Sequence, residues 1–145
     1  MRYTHWLKQD PRNHYFTLPN EIFSLGLESG AIAVYSYLLH CENRDSHQCW
    51  PSYNTIGEAV RMSKNTVKKY VAELESKCLI TTEPTTVTRS DGCKRNGNLL
   101  YTIRPIREAV DCFYQHQMQK MNEDIQRQRL EKSQQGAQPQ SECLA

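Results

Sequence analysis

The chain has 145 residues, 38% of them hydrophobic, and a formal net charge of +2; that is enough for one domain with appendages and too polar for a chain packed throughout. It contains no run of about 18 apolar residues, which excludes a transmembrane helix, and Met1–Trp6 lack the apolar stretch of a secretory signal. The protein is therefore expected in the cytoplasm, with its six cysteines reduced and no membrane partner. The charge is unevenly placed: residues 61–104 carry nine basic and four acidic side chains, while the segments on either side each carry an acidic excess. A short positive segment of this kind is the footprint expected of a polyanion-binding surface.

Residues 1–15, polar and aromatic without a period, form an N-terminal arm. Phe16–Phe23 predicts an extended piece running into one helical turn, with Pro19 at its first position. Ala31, Val34, Tyr35, Leu38 and Leu39 recur at three and four residues and predict a helix over 28–42, in which Gly30 lies near the start and is given no role. Residues 43–51 are rich in turn formers and predict a loop closed by Trp50 and Pro51. His40, Cys41, His47 and Cys49 are zinc-type ligands, but their spacing fits no common knuckle, so they are expected to be a core thiol and loop residues.

Ser52 caps a short helix over 53–60 that turns Ile56, Ala59 and Val60 inward. Arg61 and Met62 make a tight turn. Ser63 then caps a third helix over 64–77, whose buried stripe is Val67, Tyr70, Val71 and Leu74. Two strands follow. Residues 79–88 are rich in Thr and Val, with Pro84 marking a sheet edge, and residues 98–104 are the second strand. Between them Arg89–Gly97 holds two turn dipeptides, Asp91-Gly92 and Asn96-Gly97, giving a hairpin with a basic tip. Pro105 opens a long helix over 106–130, striped by Ile106, Val110, Phe113, Tyr114, Met118, Met121 and Ile125. The Gln/Ser-rich residues 131–145 are expected to be a disordered tail.

Helix, helix, turn, helix, hairpin is the order of a winged helix-turn-helix. The expected fold is mainly α with a small β-hairpin wing over residues 16–105, its motif spanning 27–104, plus a long C-terminal helix. Gly57 stands where the helix after the turn packs close, and Ile56, Val60, Met62, Val67 and Tyr70 supply the apolar offsets. Ile56–Val71 (IGEAVRMSKNTVKKYV) resembles the motif shared by bacterial winged-helix proteins. More narrowly, Leu18–Phe23 (LPNEIF), Ala33–Tyr35 (AVY), Cys49–Ser52 (CWPS), Ser63–Val67 (SKNTV) and Leu99–Arg104 (LLYTIR) resemble helix-turn-helix proteins of Gram-positive bacteria and their mobile elements. The layout is also similar to the N-terminal domains of plasmid and phage replication initiators. The resemblance implies DNA binding. Two positions depart from the general pattern, Arg61 and Cys78, where a left-handed glycine is usual; a side chain there costs roughly 1 kcal/mol.

With 67, 70, 71 and 74 buried, Lys64, Asn65, Lys68, Lys69 and Ala72 face outward from the third helix, whose N-terminal half is the part that enters a major groove. Asn65 suits adenine, and the lysines suit guanine or phosphate. Ser63 caps the helix, Thr66 can donate to a phosphate at its start, and Arg61 can add a contact. Arg89, Lys94 and Arg95 place cations on the wing for a backbone or a minor groove. Tyr53 and Asn54 open the preceding helix beside the backbone. Tyr70, Trp6 and Trp50 are expected to be packing residues.

The stripe from Val110 to Ile125 would suit a homodimer reading paired half-sites; otherwise Ile106–Phe113 pack on the domain and the rest projects. The expected function is sequence-specific binding of double-stranded DNA by a transcriptional regulator. The alternatives are a replication initiator or maintenance protein of a mobile element, and a winged helix that binds protein. An enzyme is not expected: the chain has no Gly-rich phosphate loop, no His-Glu-x-x-His and no nucleophile motif, and its five histidines are scattered. No cofactor and no metal are expected.

Overall fold

The computed structural model describes residues 15–137. Two serines set where its central helices begin. Ser52 and Ser63 lie in extended backbone, and their hydroxyls accept hydrogen bonds from the Thr55 and Thr66 N–H groups at 3.1 and 3.3 Å. Each satisfies a donor that the first turn leaves free. Helix α2 (Tyr53–Val60) and helix α3 (Lys64–Ser76) therefore start where the capping residues predict.

Before them a 3-10 turn (Asn20–Ser24) follows residues 15–19, which have no regular secondary structure, with Pro19 at the cap rather than inside the turn, and leads to helix α1 (Ser29–Cys41). The expected arm falls, but for Tyr15, outside the described residues. The loop expected at 43–51 contains a strand, β1 (Gln48–Cys49). Its bend is fixed by Asn43, whose side chain accepts from the Asp45 N–H at 2.9 Å, and by His47 at φ 56°. Two residues carry too little alternation to be seen as a strand; β1 exists because β5 (Leu100–Ile103) lies alongside, pairing Gln48 with Thr102 and Cys49 with Tyr101.

The hairpin is longer and more broken than expected. Residues 79–88 form two strands, β2 (Ile80–Glu83) and β3 (Thr86–Thr88), because Pro84 and Thr85 interrupt the ladder. Strand β4 (Lys94–Asn96) pairs with β3, and β5 lies between β1 and β2 in an antiparallel three-stranded sheet. Asp91-Gly92 sits at the tip, with Gly92 at φ +82° and the Arg89 and Cys93 backbones hydrogen-bonded. Asn96-Gly97 is not a tip turn. It lies at the break, where the Gly97 N–H donates to Thr85 O at 2.7 Å and a Cβ would meet Thr85 Oγ1 at 2.5 Å.

The core gathers residues from every layer. Ile22, Leu25, Val34, Tyr35, Leu38, Ile56, Val67, Leu74, Leu79, Ile80 and Tyr101 are all essentially solvent-free. Burial pushes the Tyr35 phenol up to about 12, with the Glu42 carboxylate adding to it, so its hydroxyl stays neutral. Three expectations about packing change. Ala59, expected inward, is exposed on α2, and Trp50, expected to pack, is 62% exposed. Gly30 has a role: the Tyr70 ring lies over it, with Tyr70 Cε2 2.2 Å from where a Cβ would stand, so the half-buried ring covers the start of α1.

Helix α4 (Ile106–Gln135) runs past its expected end at residue 130 into what the composition marks as tail; residues 138–145 lie outside the described residues. Ala109 is buried, and Ile106, Val110 and Phe113 pack on the core, Phe113 against Gly26 and beneath the Lys77 amine. From Tyr114 onward every described residue is exposed.

Gly57 controls the angle between α2 and α3. A Cβ there would stand 2.6 Å from the Met62 carbonyl oxygen and 3.6 Å from Val67 Cγ2. Alanine is the better helix former by about 1 kcal/mol, yet backbone cannot yield cheaply. Gly57→Ala is expected to lower stability by about 1–3 kcal/mol in urea unfolding, as overpacking does. Ser63→Ala is expected to cost about 1 kcal/mol through the lost cap; a neutral Gly57→Ala would show that the two helices are free to separate.

Candidate nucleic-acid interface

Helix α3 presents two unlike faces. Val67, Val71 and Leu74 are buried and Tyr70 half-buried, so Lys64, Asn65, Lys68, Lys69 and Ala72 stand on the outer side, all exposed. Thr66 is half-buried, its hydroxyl 2.8 Å from Ser63 Oγ. Ser63 and Thr66 are thus occupied with each other at the cap, while the first-turn N–H groups point outward beyond the helix start.

The turn before α3 makes Arg61 part of the same surface. Arg61 ends α2 in the left-handed conformation, φ 59° and ψ 47°, where its N–H and that of Met62 both reach Gly57 O. Its side chain is exposed and lines a groove with Asn54, Gly57, Glu58, Met62 and Lys64. The expected strain at Arg61 is therefore carried, not avoided.

A second cleft joins the helices to the wing. Tyr53 and Asn54 at the start of α2, Lys64 at the start of α3, and Gly97–Leu99 at the wing base line it together. Tyr53 is half-buried; burial, then the Glu75 carboxylate, raises its phenol, so it remains a neutral hydroxyl. Asn98 Nδ2 donates to Trp50 O at 3.2 Å and ties the wing base to the segment before α2. Asn98 was not among the expected contact residues, and a single asparagine at the start of a strand carries no signal of this.

On the wing, Arg89, Lys94 and Arg95 are all exposed. Lys94 stands opposite Thr88 and Arg95 opposite Val87. Consecutive residues of a strand point to opposite faces, so Lys94 and Arg95 cannot both lie on one side of the wing. Each can meet a different strand of a polyanion, but they do not form one patch.

The cations divide by partner. Lys69 is turned toward α1, with its amine 3.4 Å from Glu28 Oε2 and 5.2 Å from the centre of the Tyr70 ring. That pair is exposed and worth at most about 1 kcal/mol, so it is easily given up. Arg104 is paired with Glu108 at 2.6 Å. Among the described residues Arg61, Lys64, Lys68, Arg89, Lys94 and Arg95 have no carboxylate within ion-pair distance. The basic segment thus holds an unpaired set on the turn, α3 and wing, while Lys69 and Arg104 face carboxylates and Lys77 lies over the Phe113 ring.

The zinc-type residues do not gather as one ligand set among the described residues. Cys49 is buried, its thiol donating to Leu38 O at 3.6 Å and pushed up to about 12 by burial and by neighbouring Cys41 and Glu42. His47 lies 3.6 Å from Glu42. Among the described residues no three His, Cys, Asp or Glu side chains gather as metal ligands do, and no helix is long and apolar enough to cross a membrane.

Solved structures similar to the chain include a possible transcriptional regulator from Methanosarcina mazei Go1, at 16% identity and a TM-score of 0.47, covering 72% of this chain and 82% of that one. MepR of S. aureus in complex with DNA is similar at 17% identity and a TM-score of 0.38, covering 93% and 94%. BpsR of Bordetella bronchiseptica is similar at 19% identity and a TM-score of 0.39, covering 83% of each chain. None of the curated proteins matches in sequence. Residues 25–80, from the end of the 3-10 turn through the first residue of β2, match the family model of a helix-turn-helix domain.

Proposed function

We propose that the protein is a transcriptional regulator that binds double-stranded DNA by inserting the N-terminal half of α3 into a major groove, with the wing on the flanking backbone. The observation that carries this reading is the unpaired set of Arg61, Lys64, Lys68, Arg89, Lys94 and Arg95 on the turn, α3 and wing. Unpaired exposed cations beside a helix N-terminus are what a phosphate backbone neutralises, releasing its counterions. Asn65, exposed one residue into α3, is the side chain placed to read a base. Lys69 has to leave Glu28 to join them.

A homodimer through α4 completes the reading. Tyr114, Met118, Met121 and Ile125 are exposed at spacings of four, three and four along a projecting helix. Most helical stability in proteins comes from packing of an apolar face, and this spacing is that of a two-helix seam. Two copies joined there would present two α3 helices to a two-fold site.

Selection from a random duplex pool at several salt concentrations tests the DNA reading. Lys64→Ala/Lys68→Ala is expected to weaken all sequences alike and to make the log–log salt slope shallower by about 0.9 per lost phosphate contact. Asn65→Ala should instead relax one position of the enriched site, at about 1–3 kcal/mol. Absence of binding by the native chain at low salt would turn the search to protein partners. Enrichment of direct repeats rather than a palindrome would favour a replication initiator of a mobile element.

Arg61→Gly separates fold from function. Relief of the left-handed strain should stabilise the fold by up to about 1 kcal/mol, while duplex affinity falls; a variant that lost both would place Arg61 in the fold instead. Met118→Glu/Met121→Glu should convert the dimer to monomer in sedimentation without lowering the unfolding midpoint of the domain.

A further inference from the structure

Two thiols from distant parts of the chain meet where α3 ends. Cys78 stands just past α3 in the left-handed conformation, φ 61°. Its N–H donates to Glu75 O at 3.1 Å and the Leu79 N–H to Leu74 O at 3.1 Å, with Leu74 and Leu79 both buried. That is the bond pattern of a Schellman cap, whose left-handed position favours glycine. Here the position holds a cysteine, and its Sγ lies 2.8 Å from the Sγ of Cys112, in the second turn of α4.

We propose that Cys78 and Cys112 are an oxidisable dithiol, which a peroxide converts into an intrachain disulfide that clamps the end of α3 to α4. The sulfurs need to approach by less than 1 Å to reach the bond length of about 2.05 Å. Both thiols are half-buried, so a small peroxide can reach them. The hydrogen bond to Cys78 and partial burial push the Cys112 thiol above its ordinary value, and the Arg104 guanidinium and the Lys77 amine offset part of that rise.

The chemistry closes with peroxide as the only oxidant. One thiolate attacks a peroxide oxygen, the O–O bond breaks, and the alcohol or water leaves, giving a sulfenic acid. The second thiol attacks that sulfur, the S–S bond forms and water leaves. Two electrons pass from the thiols to the peroxide. Of the other described cysteines, Cys49 is buried and held protonated, Cys41 is half-buried with that protonated thiol as its neighbour, and Cys93 is exposed at the wing tip.

The test is a disulfide map of the reduced full chain after treatment with hydrogen peroxide, alkylation of remaining thiols and digestion without reductant. The expected result is one peptide pair joined through Cys78 and Cys112, lost on treatment with a thiol reductant, and an unfolding midpoint raised by oxidation and restored by reduction. In Cys112→Ser, a sulfenic acid at Cys78 should be trapped by dimedone. Recovery of Cys78 and Cys112 both alkylated, in a sample where Cys93 is oxidised, would overturn the proposal. So would a disulfide that leaves the midpoint unchanged, since no clamp would then exist.

Discussion

The close approach of α2 and α3 at Gly57 is the constraint on which the rest of this structure depends. A backbone carbonyl, that of Met62, occupies the space that any side chain at 57 would need. The turn is therefore short, and the angle between the two helices is set by backbone contact and not by side chains that could repack. Ile56 and Val67, on either side of that contact, are both fully buried in the core.

Both ends of this unit are closed by left-handed residues that are not glycine. Arg61 turns the chain into α3 and Cys78 turns it out toward β2. A side chain in that conformation costs roughly 1 kcal/mol, and each position carries a chemically active group in return: a guanidinium beside the groove at one end, a thiol against Cys112 at the other. Strain held at sites of this kind is a common association with function, here at the two termini of one helix.

The charge pattern has a structural logic of its own. Cations that face the domain, Arg104 and Lys69, are matched by Glu108 and Glu28. Those on the turn, outer helix and wing are left to solvent. Helix α4 repeats the division in apolar form. Its first two turns are absorbed by the core through Ala109 and Phe113, while Tyr114, Met118, Met121 and Ile125 are left open. The surface is thus unfinished in two places, one electrostatic and one apolar.

What the sequence by itself determined is what depends on near neighbours in the chain. The serine caps, the turn at Arg61, the stripe of α3 and the basic character of the segment 61–104 all rest on spacings within one or two turns, and these appear in the structure. Strand β1, the break at Thr85 and Gly97, the Tyr70 ring over Gly30, the pairing of Lys69 with Glu28 and the meeting of Cys78 with Cys112 were decided only by the tertiary structure. Each joins residues far apart in the chain, so no local pattern encodes it. A two-residue strand has no period to read, and the exposure of Trp50 beside buried Cys49 follows from no spacing in the sequence. Local physics sufficed to place α3 and its exposed face; only the fold could decide which of its cations remain free.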